Sequence, residues 1–146
     1  MLETTDQTIP PALHARPLAA QSLWLGSGSG ACFGWFHPAQ GSSRGMGVVL
    51  CRPMGHEAHL SYTTYTVLAE RLAQAGFAVL RFDYHGTGDS AGADTDADRV
   101  RAWLDSIKRA CAAVRKRGAV SHLGLFGMRL GATLAAQAAV ELGGVD

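Results

Sequence analysis

The sequence predicts an α/β fold, a three-layer α/β/α arrangement whose mostly parallel sheet carries an antiparallel hairpin at its N-terminal side. Two observations carry this prediction. Three short, continuous apolar runs, "GMGVVLCRP", "FAVLRFD" and "SHLGLFG", are bounded by glycine, proline or polar turns, as strands buried on both faces are. Each is followed by a segment with helical periodicity, and a strand-helix series repeated three times calls for parallel strands, right-handed crossovers and helices on both faces.

The elements follow in order along the 146 residues, a length that suits one domain. Residues 1–20 contain Pro10, Pro11 and Pro17, which cannot donate to a ladder or sit inside a helix, so a flexible arm is expected there and the domain at 21–146. "QSLWLGSGSGACFGWFHPA" reads as two strands joined through Gly26 to Gly30, glycines suiting a tight hairpin turn. A phosphate-binding loop must open a helix, and "ACFGWFHP", glycine-broken and stopped by proline, does not.

After the first buried run, Tyr62, Tyr65, Leu68, Ala69 and Leu72 fall on one helical face, with Gly76 at the C-terminal cap. After the second, a polar turn "YHGTGDSAGAD" leads to a helix whose apolar stripe is Val100, Trp103, Leu104, Ile107, Cys111 and Val114. Thr95 and Asp98 form a capping-box spacing at its start, with Asp94, Asp96 and Asp98 favoured by the positive end of its dipole. Arg115, Lys116 and Arg117 suit its negative end before Gly118, so this basic cluster needs no nucleic acid to explain it. The last helix, "LGATLAAQAAVELGG", is apolar nearly all round, and Gly131 and Ala135 bring its backbone close to the sheet.

Lys plus Arg total 13 against 12 for Asp plus Glu, so charge argues for neither nucleic acid nor an anionic membrane surface as a partner. No apolar run approaches the ~20 residues of a spanning helix, and the start of the chain lacks the basic and apolar regions of a secretory signal. Cys32, Cys51 and Cys111 are odd in number without close spacing, which fits reduced thiols in a cytoplasmic protein; Cys111 lies on a core stripe.

The chemistry concentrates in "LGLFGMRLGATLAA", where an apolar run enters Gly127-Met128-Arg129-Leu130-Gly131 and then a helix. This is the layout of a nucleophile elbow, G-x-S-x-G, with arginine at the serine position. With "CRPMGHE" and "GFAVLRFDYHGTGDSAG" it forms three motifs in order, and the chain from about Gly47 to Leu142 resembles the α/β-hydrolase superfamily, in its serine-aminopeptidase-like or esterase-like branch. "GMRLGA" also resembles exosortase-system-associated hydrolases.

The resemblance implies hydrolysis of an ester, amide or other acyl group, with two backbone N–H groups as oxyanion donors: that of Leu130, after the elbow position, and that of Met54 in "PMGH". It assigns Ser90 the family's structural turn serine. Arg129 departs from the pattern. A guanidinium, permanently protonated with a pKa above about 12, is neither nucleophile nor base, so covalent serine catalysis is doubtful and a pseudoenzyme is the alternative. The acid and histidine of a triad belong to later strands by the family's pattern, and the chain ends at Asp146. The expectation is the N-terminal part of a fold about twice as long, or a chain completed by a partner.

Two readings of Arg129 stand side by side: recognition of a carboxylate or phosphate at a helix N-terminus, or a decayed elbow kept for its backbone turn with the arginine facing solvent or a missing carboxylate. Ser90 and Cys51 are the alternative nucleophiles, neither with a base at hand. His56, Glu57 and His59 in "GHEAH" have histidines three apart, where the zinc-protease motif needs four, so no metal is assigned. His56, His85 and Ser90 are candidates for lining the pocket. No cofactor is predicted, and a small acyl or anionic ligand is the expected partner.

Overall fold

The computed structural model describes residues 20–146, so the predicted N-terminal arm lies outside the described residues. Five strands form one sheet: β1 (Gln21–Leu25), β2 (Cys32–His37), β3 (Met46–Cys51), β4 (Ala78–Phe82) and β5 (His122–Gly127), in the order β1-β2-β4-β3-β5. β1 and β2 form the antiparallel hairpin, with Gln21 opposite Phe36 and Leu25 opposite Cys32. β2 runs antiparallel to β4, while β3 is parallel to both β4 and β5. The hairpin connection is longer than a tight turn, because Gly28–Gly30 form a single 3-10 turn between the strands.

The helices are α1 (His56–Leu60), α2 (Tyr62–Gln74), α3 (Arg99–Gly118) and α4 (Leu130–Leu142). The crossover from β3 to β4 steps one way across the sheet and that from β4 to β5 steps back past β3, so right-handed connections put α2 and α3 on opposite faces. Val48, Leu50 and Val79 pack with Tyr65 and Ala69 of α2. Val49, Cys51, Leu80 and Phe82 pack with Leu104, Ile107, Cys111 and Val114 of α3 and with Leu134, Ala135 and Ala138 of α4. Each fully buried aliphatic side chain contributes about 1.5–3 kcal/mol, which is why continuous apolar runs end up in a strand covered on both faces.

Several expectations are corrected. Thr95 and Asp98 form no capping box: Asp98 is the N-cap in a left-handed conformation and makes no side-chain cap bond. The nearby acid Asp96 is engaged instead by the preceding turn, accepting from the Ala93 N–H at 2.9 Å and meeting His85 at 2.8 Å. Val100 is 58% exposed, since it lies one turn before Leu104, where α3 meets the core. Tyr62 is 49% exposed because two arginines, described below, draw its ring to the end of the sheet. Gly118 is the last residue of α3 and its left-handed cap is Ala119. β5 is buried only at Leu123 and Gly124, and Phe126 is 40% exposed, as a strand paired on one side among the described residues allows.

Candidate functional site

The C-terminal ends of β3, β4 and β5 bring the three motifs together, and the end of β3 is pinned from three directions. Tyr65 of α2 donates to the Cys51 carbonyl at 3.1 Å, and Tyr84, after β4, donates to the Arg52 carbonyl at 3.1 Å. Gly131 of α4 lies against the same two carbonyls so closely that any side chain there would collide with them. Gly127 faces Gly131 and Ala132 in the same way, with 2.6 Å left for a Cβ. The two elbow glycines are thus demanded by the close approach of helix to strand.

Between them, Arg129 occupies φ 57°, ψ −127° as the residue preceding α4, a conformation rare for a residue with a side chain. The elbow's strained backbone is therefore present without its usual side chain. The Arg129 guanidinium turns outward to Glu57 of α1, with Nε at 2.9 Å and Nη2 at 2.7 Å from Oε1. Both side chains are well exposed, and such a pair contributes ~0–1 kcal/mol. Glu57, considered from sequence only as a metal ligand, is the carboxylate that Arg129 meets. Among the described residues no group of three or more metal-ligating side chains forms.

A crevice of about 650 Å³ opens beside the elbow, with Arg52, Met54, His56, His59, Asp83 and Trp103 on its walls. Arg52 and Asp83, each the first residue past a buried strand, form an ion pair across its floor. Asp83 also accepts from the Asp89 N–H at 3.0 Å. Met54 and His56 therefore stand at the crevice, whereas Leu130 and Arg129 belong to the elbow beside it, where Arg129 lines a separate groove of about 280 Å³ with Glu57 and Met128. Among the described residues, neither the Met54 nor the Leu130 amide donates a backbone hydrogen bond in the loops and caps.

Two sequence candidates lie elsewhere. His85 is turned from the crevice and held by Asp96, while its N–H donates to Ser106 at 3.1 Å and its carbonyl accepts from Trp103 at 3.1 Å. Ser90 donates to the Asp83 carbonyl at 2.6 Å and accepts from the Phe33 N–H at 2.9 Å, which ties the glycine-rich turn to β2 and leaves its hydroxyl no freedom to attack. Cys51 is wholly buried, and burial followed by the neighbouring Cys111 pushes its thiol far above the usual range, so no thiolate is available. Burial likewise pushes Tyr65 up to about 12 and Tyr84 well upward, which keeps both hydroxyls as donors.

The crevice residues that sequence reasoning missed are Arg52, Tyr62, Asp83 and Trp103. Their one available signal was position: ligands bind outside the carboxyl ends of parallel strands, and Arg52 and Asp83 are the first side chains there.

Comparison with known proteins gives the same frame. The chain matches the family described as Serine aminopeptidase, S33 over residues 47–144. It is similar in structure to an alpha-beta serine hydrolase homologue from Coxiella burnetii, at TM-score 0.69 and 20% identity, covering 88% of this chain and 61% of that one. A member of the serine hydrolases from Xanthomonas campestris, described as without a lid, gives TM-score 0.70 and 23% identity over 87% of this chain and 58% of that one. A thermostable carboxyl esterase from Bacillus coagulans gives 0.66 and 20% over 88% and 42%. The chain thus spans about three-fifths or less of these neighbours' lengths. No curated protein matches it in sequence. With the family match running from β3 to the end of α4, over the elbow and the crevice loops, the chain belongs to the serine aminopeptidase, S33 family and has the α/β-hydrolase fold.

Proposed function

We propose that this chain is the N-terminal part of a hydrolase-type domain that holds a small acyl ligand in its crevice and forms no acyl-enzyme at its elbow. The observation that carries the reading is Arg129 itself, in the elbow's strained backbone and turned out to Glu57. A permanently charged guanidinium has no lone pair to attack an acyl carbon, and its partner already satisfies it. The amides of Met54 and Leu130 support binding of a carbonyl or carboxylate oxygen nearby.

Among the described residues β5 pairs only with β3, and its outer edge together with the exposed Val140 and Leu142 of α4 supports completion of the sheet by further strands, from the same polypeptide or a partner. Three free, buried cysteines support a reducing, cytoplasmic setting, and no helix among the described residues is long and apolar enough to cross a membrane.

The test is covalent labelling of the intact protein with a serine-directed phosphonate, read by mass spectrometry, beside turnover of a short-chain aryl ester. The expected result is no adduct at any serine; an adduct on the unmodified protein would overturn the reading. The same assay on Arg129→Ser shows whether only the attacking oxygen is missing.

A further inference from the structure

Arg81 is the fourth residue of β4, inside the sheet and only 6% exposed. Its Nε donates to His37 Nε2 at 3.1 Å and its Nη1 to Thr66 Oγ1 at 2.9 Å. Neither acceptor carries charge: burial, then the guanidinium itself, push His37 down to about 4, so its ring is neutral near pH 7. Among the described residues Arg81 forms no ion pair, and its Nη2 makes no hydrogen bond. A charge withdrawn from water without a counter-ion costs several kcal/mol.

Beyond these two hydrogen bonds, the compensation among the described residues is aromatic. The Tyr62 ring lies 5.7 Å from the Arg81 guanidinium carbon and 5.9 Å from that of Arg52, so one ring serves two cations. Such contacts are worth about 0.5–2 kcal/mol, less than the cost of the buried charge.

Arg52, Arg81, Tyr62 and Trp35 line a cavity of about 50 Å³ together with Asp83 and Asp89. Asp83 is committed to Arg52, whose Nε is nevertheless buried without an acceptor. A water molecule occupies ~30 Å³ in the liquid, so the space suits one group the size of a carboxylate. Arg52, Tyr62, Asp83 and Asp89 also line the large crevice, which makes this cavity a side pocket of it.

We propose that the pocket between Arg52, Arg81 and Tyr62 seats the carboxylate of a ligand whose remaining chain lies in the crevice. The acid group supplies the counter-ion that Arg81 lacks and accepts charge-assisted N–H bonds at the same time. The inference rests on the reading that the crevice takes an acyl ligand, and adds that the ligand is a carboxylic acid or carries one.

Equilibrium binding to the intact protein at constant ionic strength, with acetate, hexanoate, hexanol and chloride as probes, tests it. Hexanoate should bind more tightly than acetate, because its chain fills the crevice, and at least about ten-fold more tightly than hexanol, which lacks the charge. Arg81→Gln should weaken hexanoate by about ten-fold or more, whereas Arg117→Gln, an exposed charge elsewhere, should change nothing. Tyr62→Leu alters a half-exposed ring, so it carries the test should Arg81→Gln fail to fold; weaker hexanoate binding is expected. Asp89→Asn should leave binding equal or tighter.

Equal binding of hexanoate and hexanol would overturn the proposal. So would chloride matching hexanoate, which would mark a halide site, or loss of binding in Asp89→Asn, which would mark a cation seat. Phosphonate labelling of any serine is independent of Arg81, so failure of the elbow reading and failure of this one give different results.

Discussion

Arg129 and Arg81 are two arginines in opposite surroundings. Arg129 sits in the most conspicuous motif of the chain, yet it is exposed and ion-paired with Glu57. Arg81 sits in an apolar run that reads as plain core, yet it is buried, held by two neutral acceptors and left without a carboxylate. The difference teaches that a motif position specifies backbone shape, while the electrostatic demand of a side chain depends on what surrounds it. At the elbow the glycines explain the turn and solvent screens the charge. Inside the sheet the same functional group carries a cost that its neighbours do not offset.

Replacing each arginine by alanine gives the sharpest measure of that contrast. Arg81→Ala removes two hydrogen bonds, leaves a cavity beneath Tyr62 and orphans the His37 ring, losses that outweigh the relief of the buried charge, so a net loss of about 1–3 kcal/mol in denaturant-unfolding stability is expected. A loss below ~1 kcal/mol would place Arg81 in the same class as a surface arginine and break the comparison.

The next effect comes through pH. His37 has its folded pKa lowered from 6.5 to about 4, so below pH 6.5 the unfolded chain binds a proton that the folded protein refuses. Stability present above that pH is lost as pH falls toward 4 and levels off below it, a loss of about 3 kcal/mol at most. His37→Gln should remove this part of the pH dependence of the melting temperature; an unchanged slope would mean that His37 is not held neutral by burial and by Arg81 in the folded protein.

The smallest effect is at the elbow. Arg129→Ala and Glu57→Gln should each cost less than about 1 kcal/mol, with a coupling of ~0.2–1 kcal/mol in a double-mutant cycle that shrinks as salt is added. A larger, salt-insensitive coupling would show that the Arg129–Glu57 pair is more than a solvated latch.

Much of the fold is legible in the residues. "GMGVVLCRP" and "FAVLRFD" are continuous because α2 and α3 cover both faces of their strands, and the stripe from Leu104 to Val114 follows from the helical period. The elbow is legible for the same reason, since Gly127 and Gly131 are demanded by local backbone contact. The capping of α3 misled because an aspartate near a helix start serves a turn as readily as a cap, and here Asp96 is held by Ala93 and His85. The site residues were hardest to read. His85 and Ser90 lie within the motif but point into the turn, and Arg52 and Asp83 carry no motif at all.

The succession of strands and helices, the elbow's backbone and the lack of an attacking oxygen at position 129 are all readable from the residues, because these depend on periodicity, on glycine and on the chemistry of one side chain. Where the charges go depends on the folded arrangement. Glu57 and Arg129 are 72 residues apart and His37 and Arg81 are 44 apart. Electrostatic energy depends on distance and on exclusion of water, and neither exists until the sheet has brought these segments together.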